Sequence, residues 1–221
     1  MSAPSPNHFD FLQSIDTPTV CNLVEIVAPE RRGFGYTVKH LHCPFPELAP
    51  VVGFAKTVTF KAKDAVALGD AGYMQRRLDY LDYVAASPRP SIMVMEDLDG
   101  EHVGYGAFWG EVQSNVHKAL GCLGVVTNGS IRDIPMIAPG FQMLAGSIVP
   151  SHAYVHVVDF GIDVNVHEVA ALDRHGAVVV PTNKIDAMQA ALDGLAAREA
   201  KIIAAAKAGG DVAAIKAAMK S

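Results

Sequence analysis

Hydrophobic residues recur along the chain with two different periods. Residues 19–26 carry apolar side chains at helical spacing, with Thr17 or Thr19 as the expected N-cap and Pro29 as the end. Residues 51–61 instead alternate and are rich in β-branched side chains, which is typical of a strand. The chain therefore begins with a helix and then enters a sheet.

A strand, a helix and a second strand follow one another in the middle of the chain. Short apolar runs predict buried strands at 91–95 and 123–126, with a helix over 111–120 between them. This βαβ order implies parallel neighbouring strands. Further elements are a mixed helix over 65–84, strands at 142–144, 154–158 and 177–180, and C-terminal helices separated by Gly209-Gly210, with Asp211 as a cap. The pattern indicates an α/β protein with a flexible tail (1–8), one domain (9–183) and a helical C-terminal extension (184–221).

Composition and charge exclude several classes of function. Half of the residues are hydrophobic (50%), enough to build a core, and the net charge of -5 argues against a nucleic-acid partner. No apolar stretch approaches the length of about 18 residues that a membrane span needs. The N-terminus does not resemble a signal peptide, and the 3 cysteines show neither zinc spacing nor close pairs. We therefore expect a cytoplasmic protein without a membrane partner.

The segment that follows the strand at 91–95 carries glycines just before a helix. Gly104, Gly106 and Gly110 let a ligand approach the backbone, and the helix start at Gly110-Glu111-Val112-Gln113 favours an anion. A dinucleotide fingerprint is the first alternative, but the glycine spacing is one residue too long and no acid ends the next strand. The segment thus predicts a small anionic ligand rather than a nucleotide.

The strand at 123–126 leads into Asn128-Gly129, which predicts a turn that carries Arg132 and Asp133 to the same edge as Gly110. Arginine matches a carboxylate with two parallel donors, and aspartate offers a hard oxygen to magnesium or manganese. The alternative is an ordinary ion pair in a surface turn. The pattern thus allows a carboxylate site beside a metal ion.

The sequence also suggests roles for two histidines, a tryptophan and a cysteine. His152 and His156 lie four residues apart within a β-favouring stretch, so we expect them to share one strand face as packing residues. Trp109 either lines a pocket or packs in the core. Cys122, inside an apolar run, is expected to be a buried thiol.

Several motifs together resemble the RraA-like family, which contains the regulator of ribonuclease activity A and the 4-hydroxy-4-methyl-2-oxoglutarate aldolases. The main one is Gly110-Glu111-Val112-Gln113 followed by Gly121, Gly124, Val126, Asn128-Gly129 and Arg132-Asp133. Residues 17–22, 53–58 and 173–181 resemble further family motifs in the same order. The resemblance covers most of the chain.

This resemblance implies a β/β/α swivelling domain of the phosphohistidine-domain type, assembled as a homotrimer or hexamer with active sites between subunits. It implies a divalent-metal-dependent lyase (Mg²⁺ or Mn²⁺) that cleaves a C–C bond of a 2-keto acid to give pyruvate, similar to 4-hydroxy-4-methyl-2-oxoglutarate aldolase with oxaloacetate decarboxylase activity. The alternative is a non-catalytic regulatory binding protein of the ribonuclease-regulator type. The implied site comprises the substrate-binding backbone of Gly110, Glu111, Val112 and Gln113, the catalytic and carboxylate-binding Arg132, and the catalytic and metal-binding Asp133.

The chain departs from the family pattern at two points. Family aldolases usually have Asp-Gly at the place of Asn128-Gly129, so this chain lacks a negative charge expected near the metal. The stretch 159–173 is also shorter than expected and lacks Pro-Gly-Asp before the hairpin.

Overall fold

The computed structural model describes residues 4–66, 71–164, 171–209 and 211–220. The helices are α1 (Pro6–Gln13), α2 (Thr17–Val27), α3 (Ala71–Ala85), α4 (Glu111–Ala119), α5 (Ile185–Lys207) and α6 (Val212–Lys220). The strands are β1 (Val51–Val52), β2 (Phe54–Lys61), β3 (Ser91–Asp97), β4 (Ala107–Trp109), β5 (Cys122–Ile131), β6 (Gln142–Ile148), β7 (His156–Phe160), β8 (Ala171–Asp173) and β9 (Gly176–Val178).

The main sheet has six strands and curls into a half-barrel. Its strands lie side by side in the order β6, β5, β3, β2 and β7, and the short β4 pairs with the C-terminal end of β5. β2, β3, β5 and β6 are parallel, and the edge strand β7 runs antiparallel to β2. β1, β8 and β9 form a separate antiparallel sheet. The predicted α/β class and the parallel βαβ unit are confirmed, whereas the phosphohistidine-domain type stays a prediction.

The helices pack on the sheets in two groups. One hydrophobic core lies between the main sheet and α3, with His117 of α4 packed against its Trp109, and a second joins α1, α2 and α5 to the small sheet. Trp109 belongs to the first core: it is fully buried, its indole N–H points at Met95 Sδ (3.0 Å), and its ring stacks on Phe141. Packing, and not a pocket wall, is therefore the role of this tryptophan.

The predicted helix over 19–26 is present as α2, but its cap differs from the prediction. Asp16, and neither Thr17 nor Thr19, is the N-cap, because its carboxylate accepts the Thr19 N–H at 3.0 Å. Thr17 has another partner, since its N–H and its hydroxyl both donate to the buried Asp173 (2.8 and 2.7 Å). These bonds tie the start of α2 to the β8–β9 hairpin.

The predicted strand over 51–61 is divided at Gly53 into β1 and β2, which belong to different sheets. A Cβ at Gly53 would lie 3.0 Å from the Ser91 carbonyl carbon, so a larger residue there would require the two backbones to move slightly apart. The helix predicted over 65–84 is present as α3 from Ala71, and residues 67–70 lie outside the described part.

The prediction of a turn at Asn128-Gly129 is wrong. β5 runs through both residues to Ile131, with an irregular register between Thr127 and Ser130. Asn128 acts as a clamp between β5 and β3 just beyond their last paired residues, because its side chain accepts the Asp97 N–H (2.7 Å) and donates to the Asp97 carbonyl (3.2 Å). These bonds from the Asn128 side chain to the Asp97 backbone hold the dipeptide in a strand, although in isolation it favours a turn.

The C-terminal helices agree with the predicted pattern. α5 ends at Lys207, followed by Gly209 at φ +69°, and Asp211 caps α6 by accepting the Ala214 N–H (2.8 Å). At the other terminus α1 begins at Pro6, so part of the predicted tail 1–8 is helical. The division into tail, domain and extension otherwise stays a prediction. Within the described ranges no helix has the length and apolarity to cross a membrane.

Candidate active site

A cleft of about 360 Å³ opens where β4 and β5 end and α4 begins. β4 and β5 run parallel, and the Arg132 N–H donates to the Trp109 carbonyl (2.8 Å), which brings the ends of both strands together. Gly110 lies between β4 and α4 and is the N-cap of that helix. The structure therefore brings Gly110, Arg132 and Asp133 together at one edge, as the sequence predicted, although a continuous strand and not a turn places them.

Gly110 is needed for close approach rather than for unusual backbone angles. Its φ of -166° is extended and open to any residue. A Cβ at this position would lie only 2.6 Å from Asp133 Oδ2 and 3.2 Å from Arg132 Cγ. Only glycine lets the start of α4 sit directly against the Arg132-Asp133 pair.

Asp133 is positioned by an unusual backbone conformation and by contacts with Arg132 and Glu111. It adopts a left-handed conformation (φ +54°), uncommon for a residue other than glycine. Its Oδ2 lies 3.4 Å from Arg132 Nε and accepts a long bond from the Glu111 N–H (3.4 Å). The carboxylate thus lies at the positive end of the α4 dipole, which stabilises its charge.

The first turn of α4 leaves backbone donors available. Ser114 N–H begins the helical ladder by donating to the Gly110 carbonyl (3.0 Å). In the described part of the chain, the amides of Val112 and Gln113 have no acceptor, as expected for a helix start. Both residues line the cleft. Arg132, whose side chain is 33% exposed, lies beside them. One arginine and two free amides can therefore bind a carboxylate together.

Two other residues that the sequence singled out, Glu111 and Asn128, do not line this cleft. Glu111 is exposed in the first turn of α4, and its side chain is not among those that line the cleft. Asn128 lines a separate groove together with Glu96 and Asp97, so its amide does not face Arg132 or Asp133. The missing negative charge at Asn128 therefore does not alter this cleft.

The cleft has a second wall that the sequence did not reveal. Tyr73, Arg77, Tyr80 and Leu81 of α3 line it, at positions that share one helical face. The helical spacing of these four residues can be read from the sequence, but the sequence does not show which element they face. The partner of α3 across the cleft is α4.

A buried hydrogen bond joins α3 to α4. Tyr80 hydroxyl and His117 Nε2 are 2.6 Å apart, and His117 Nδ1 lies 2.7 Å from the Gln113 carbonyl. Because the carbonyl can only accept, Nδ1 carries the proton and Nε2 accepts from the tyrosine. Burial lowers the pKa of His117 to about 4 and raises the pKa of Tyr80. Both groups are neutral at pH 7, and the hydrogen bond between them fixes α3 against α4 beside the cleft.

His152 and His156 also line the cleft, and the prediction that they share one strand face is wrong. β7 starts at His156, whereas His152 lies in the preceding loop. Neither residue is in the core. The β-favouring stretch between them is interrupted at Ala153, whose φ is +48°.

The donor set of the cleft suits a hard cation. Asp133 is the one carboxylate among the described residues that line it, and in that part of the chain its Oδ1 has no hydrogen-bond partner. The described residues contain no group of three or more His, Cys, Asp or Glu placed to hold a metal ion. Magnesium commonly binds through one or two carboxylates, with water and substrate oxygens completing its shell. Asp133 fits that mode of binding and does not fit a closed all-protein site.

A family model for RraA-like proteins, described as Aldolase/RraA, matches residues 17–180. The chain belongs to the RraA-like family. The resemblance seen in the sequence motifs is thereby confirmed. A comparison with curated protein sequences found no match.

Solved structures share this RraA-like fold at low sequence identity. An uncharacterized protein from Pseudomonas syringae pv. tomato DC3000 is 18% identical, with a TM-score of 0.71 over 98% of this chain and 94% of that one. RraAS2 from Streptomyces coelicolor, described as an unusual member of the RNase ES inhibitor RraA family, is 18% identical (TM-score 0.65; 88% and 93% covered). The RNA-processing inhibitor RraA from Thermus thermophilis is 14% identical (TM-score 0.52; 73% and 92%). These likenesses show the fold.

Proposed function

We propose that this RraA-like protein is a divalent-metal-dependent lyase that cleaves a C–C bond of a 2-keto acid and releases pyruvate. The family includes both aldolases and ribonuclease regulators, so membership does not decide between them. The observation that carries the proposal is the meeting of Arg132, Asp133 and the first turn of α4 in one cleft.

The chain's own groups suit a 2-keto carboxylate. The Arg132 guanidinium and the amides of Val112 and Gln113 are donors that can hold the carboxylate and orient the keto group. The dipole of α4 adds to the attraction of the anion. The apolar lining from Phe108, Val116 and Val157 limits water around the bound acid.

Asp133 would hold a magnesium or manganese ion, with water and substrate completing the shell. When bound, the ion supplies a Lewis acid that stabilises negative charge developing on the keto oxygen. Decarboxylation of oxaloacetate and aldol cleavage of a 4-hydroxy-2-keto acid both leave that charge on a pyruvate fragment. One site can therefore stabilise the charge in both reactions, and aldol cleavage also needs a base that takes the proton of the C4 hydroxyl.

The proposal is tested by pyruvate release from oxaloacetate and from 4-hydroxy-4-methyl-2-oxoglutarate, with Mg²⁺ and then with a chelator. We expect metal-dependent pyruvate, a loss of about a hundredfold or more in kcat/KM for Arg132→Ala, and loss of the metal response for Asp133→Ala. Arg174→Ala, in the exposed turn between β8 and β9, is the matched control. A fully active Arg132→Ala variant would contradict the proposal.

A regulatory binding protein is the second candidate. The observation that favours it is a set of exposed apolar side chains on elements that flank the cleft mouth: Val112 (66% exposed), Met136 (51%) and Ile148 (49%). RraA-like proteins are typically oligomeric, and we propose a homotrimer or hexamer for this chain, whose subunit contacts would compete with another protein for these side chains. Light scattering after size exclusion measures the assembly. A monomer that releases no pyruvate, binds no Mg²⁺ by calorimetry and forms a stable complex with another protein would favour the regulator.

A further inference from the structure

Aldol cleavage needs a group that takes the C4 hydroxyl proton, and the groups that would bind the keto acid and the metal do not supply one. Asp133 is the proposed metal ligand, and Tyr80 donates its own hydroxyl proton to His117. Tyrosine and arginine side chains keep their protons at neutral pH and act as donors. Among the described residues that line the cleft, the imidazoles of His152 and His156 are therefore the side chains suited to accept a proton.

The hydrogen bond of His156 leaves one ring nitrogen ready to accept that proton. Nδ1 lies 2.8 Å from the Tyr154 carbonyl, which can only accept, so Nδ1 carries the hydrogen. Nε2 of the neutral ring therefore carries the lone pair, and within the described ranges no other group bonds to it. A base whose second nitrogen is held by a third group is the usual arrangement of a catalytic histidine.

His156 is held more firmly than His152. His156 begins β7, where its backbone pairs with Lys61 of β2, and it is half-buried. His152 is exposed and lies in the loop before β7, next to Ala153 with its φ of +48°. Its Nδ1 also contacts a carbonyl, that of Ala153 (2.7 Å). Both rings thus have a fixed tautomer, but only His156 belongs to a strand, which positions a catalytic group better than a loop does.

His156 and Arg132 line the same cleft from separate walls. Arg132 follows β5 and His156 begins β7, and β3 and β2 lie between these two strands in the sheet. A keto acid whose carboxylate is bound at Arg132 therefore extends its C4 hydroxyl away from that wall and towards the other. The titratable or charged side chains around His156 are Tyr73 and Arg77 of α3, His152 of the loop and Lys61 opposite in β2. None of these is a carboxylate that would compete for the proton.

We infer that His156 is the catalytic base of the aldol cleavage and takes the C4 hydroxyl proton on Nε2. The inference rests on the proposed function and adds a catalytic residue to it. As the proton leaves, the C4–O bond becomes a carbonyl, the C3–C4 bond breaks, and its electron pair stays on the pyruvate fragment as an enolate. C3 of the enolate takes up a proton from water, and the imidazolium returns its proton to water. Decarboxylation of oxaloacetate has no hydroxyl proton to remove, so it does not use this base.

A comparison of the two reactions in one site tests the inference, because only one of them needs the base. For His156→Gln with Mg²⁺ we expect kcat for pyruvate release from 4-hydroxy-4-methyl-2-oxoglutarate to fall by about a hundredfold or more. kcat for oxaloacetate decarboxylation should stay within about threefold of the wild type. Thermal unfolding of both proteins checks that the variant is folded.

Further variants separate a proton acceptor from a packing residue. His156→Ala leaves space for a small base, so added imidazole should restore part of the cleavage and leave decarboxylation unchanged. His152→Gln removes the exposed imidazole of the same cleft and should retain cleavage within about threefold. In the wild type the ratio of the cleavage rate to the decarboxylation rate should fall towards acid pH, whereas in His156→Gln it should be flat.

The outcomes distinguish this inference from the proposed function. Cleavage retained by His156→Gln would overturn the inference, because another group or water then takes the proton, while the wild-type pyruvate would still support the lyase. An equal loss of both reactions would overturn it too, since His156 would then serve the shape of the cleft. A loss confined to His152→Gln would assign the proton to that residue instead. A wild type that releases no pyruvate from either acid would overturn both proposals.

Discussion

The buried His117 makes folding stability depend on pH in a predictable way. Its ring is fully buried, bridges Tyr80 and the Gln113 carbonyl, and has its pKa lowered by burial from 6.5 to about 4. In the unfolded chain the same imidazole takes up a proton below about pH 6.5. Between these two values the unfolded state binds more protons, so stability is full above pH 6.5 and falls as the pH falls towards 4.

The size of the effect follows from the two pKa values. Between pH 7 and pH 5 the His117 contribution to the free energy of unfolding should fall by about 2 kcal/mol, and by about 3 kcal/mol at pH 4. In His117→Gln the side chain can still accept the Tyr80 hydroxyl proton but cannot titrate. The stability difference between wild type and variant should therefore shrink by about 2 kcal/mol from pH 7 to pH 5.

Urea unfolding at pH 7, 6 and 5, at one fixed protein concentration, measures this difference. All other titrating groups are common to both proteins, so their contributions cancel in the comparison. His175→Gln, in an exposed turn, controls for the loss of an imidazole as such. If wild type and His117→Gln lose stability in parallel as the pH falls, His117 is not a buried neutral group and the tyrosine bridge is wrong.

Four further substitutions distinguish the residues of the site from residues that support the fold. Gly110→Ala puts a Cβ 2.6 Å from an Asp133 oxygen, so we expect Mg²⁺ binding measured by calorimetry to weaken at least about tenfold. In Gly194→Ala the new Cβ meets no atom within 4 Å, so this substitution should stabilise α5 by up to about 1 kcal/mol in urea unfolding. Asn128→Asp loses the amide donor of the strand clamp and should lower the free energy of unfolding by about 1–3 kcal/mol. It should leave Mg²⁺ affinity unchanged because residue 128 lies outside the cleft. An increased Mg²⁺ affinity of this variant would contradict that placement. Lys56→Met removes three bonds to carbonyls at the end of α3 and should cost about 3 kcal/mol by the same assay; a stability unchanged within error would show that water replaces them.

The helices and most strands were visible in the sequence because their signal is local. Apolar residues at helical spacing predicted α2, and a short apolar run predicted β3 within two residues of its end. The boundaries that were missed depend on distant contacts. Asn128-Gly129 favours a turn on its own, but the bonds from Asn128 to Asp97 hold it in a strand.

One half of the candidate cleft was predictable for the same reason. Gly110, Arg132 and Asp133 belong to one βαβ unit, and the parallel strands of such a unit end at the same edge. The other half was not predictable, since α3 and the loop before β7 come from separate parts of the chain. Nothing near Arg77 in the sequence indicates that it faces α4.

By itself the sequence determined the α/β class, the family and the glycine, arginine and aspartate of the site, because hydrophobic periodicity and motif residues are read directly from the order of residues along the chain. Only the tertiary structure decided that α3 closes the cleft, that Asn128 faces another groove and that His117 is neutral. Those properties depend on which surfaces are buried against each other, and burial is set by packing between segments far apart in the chain.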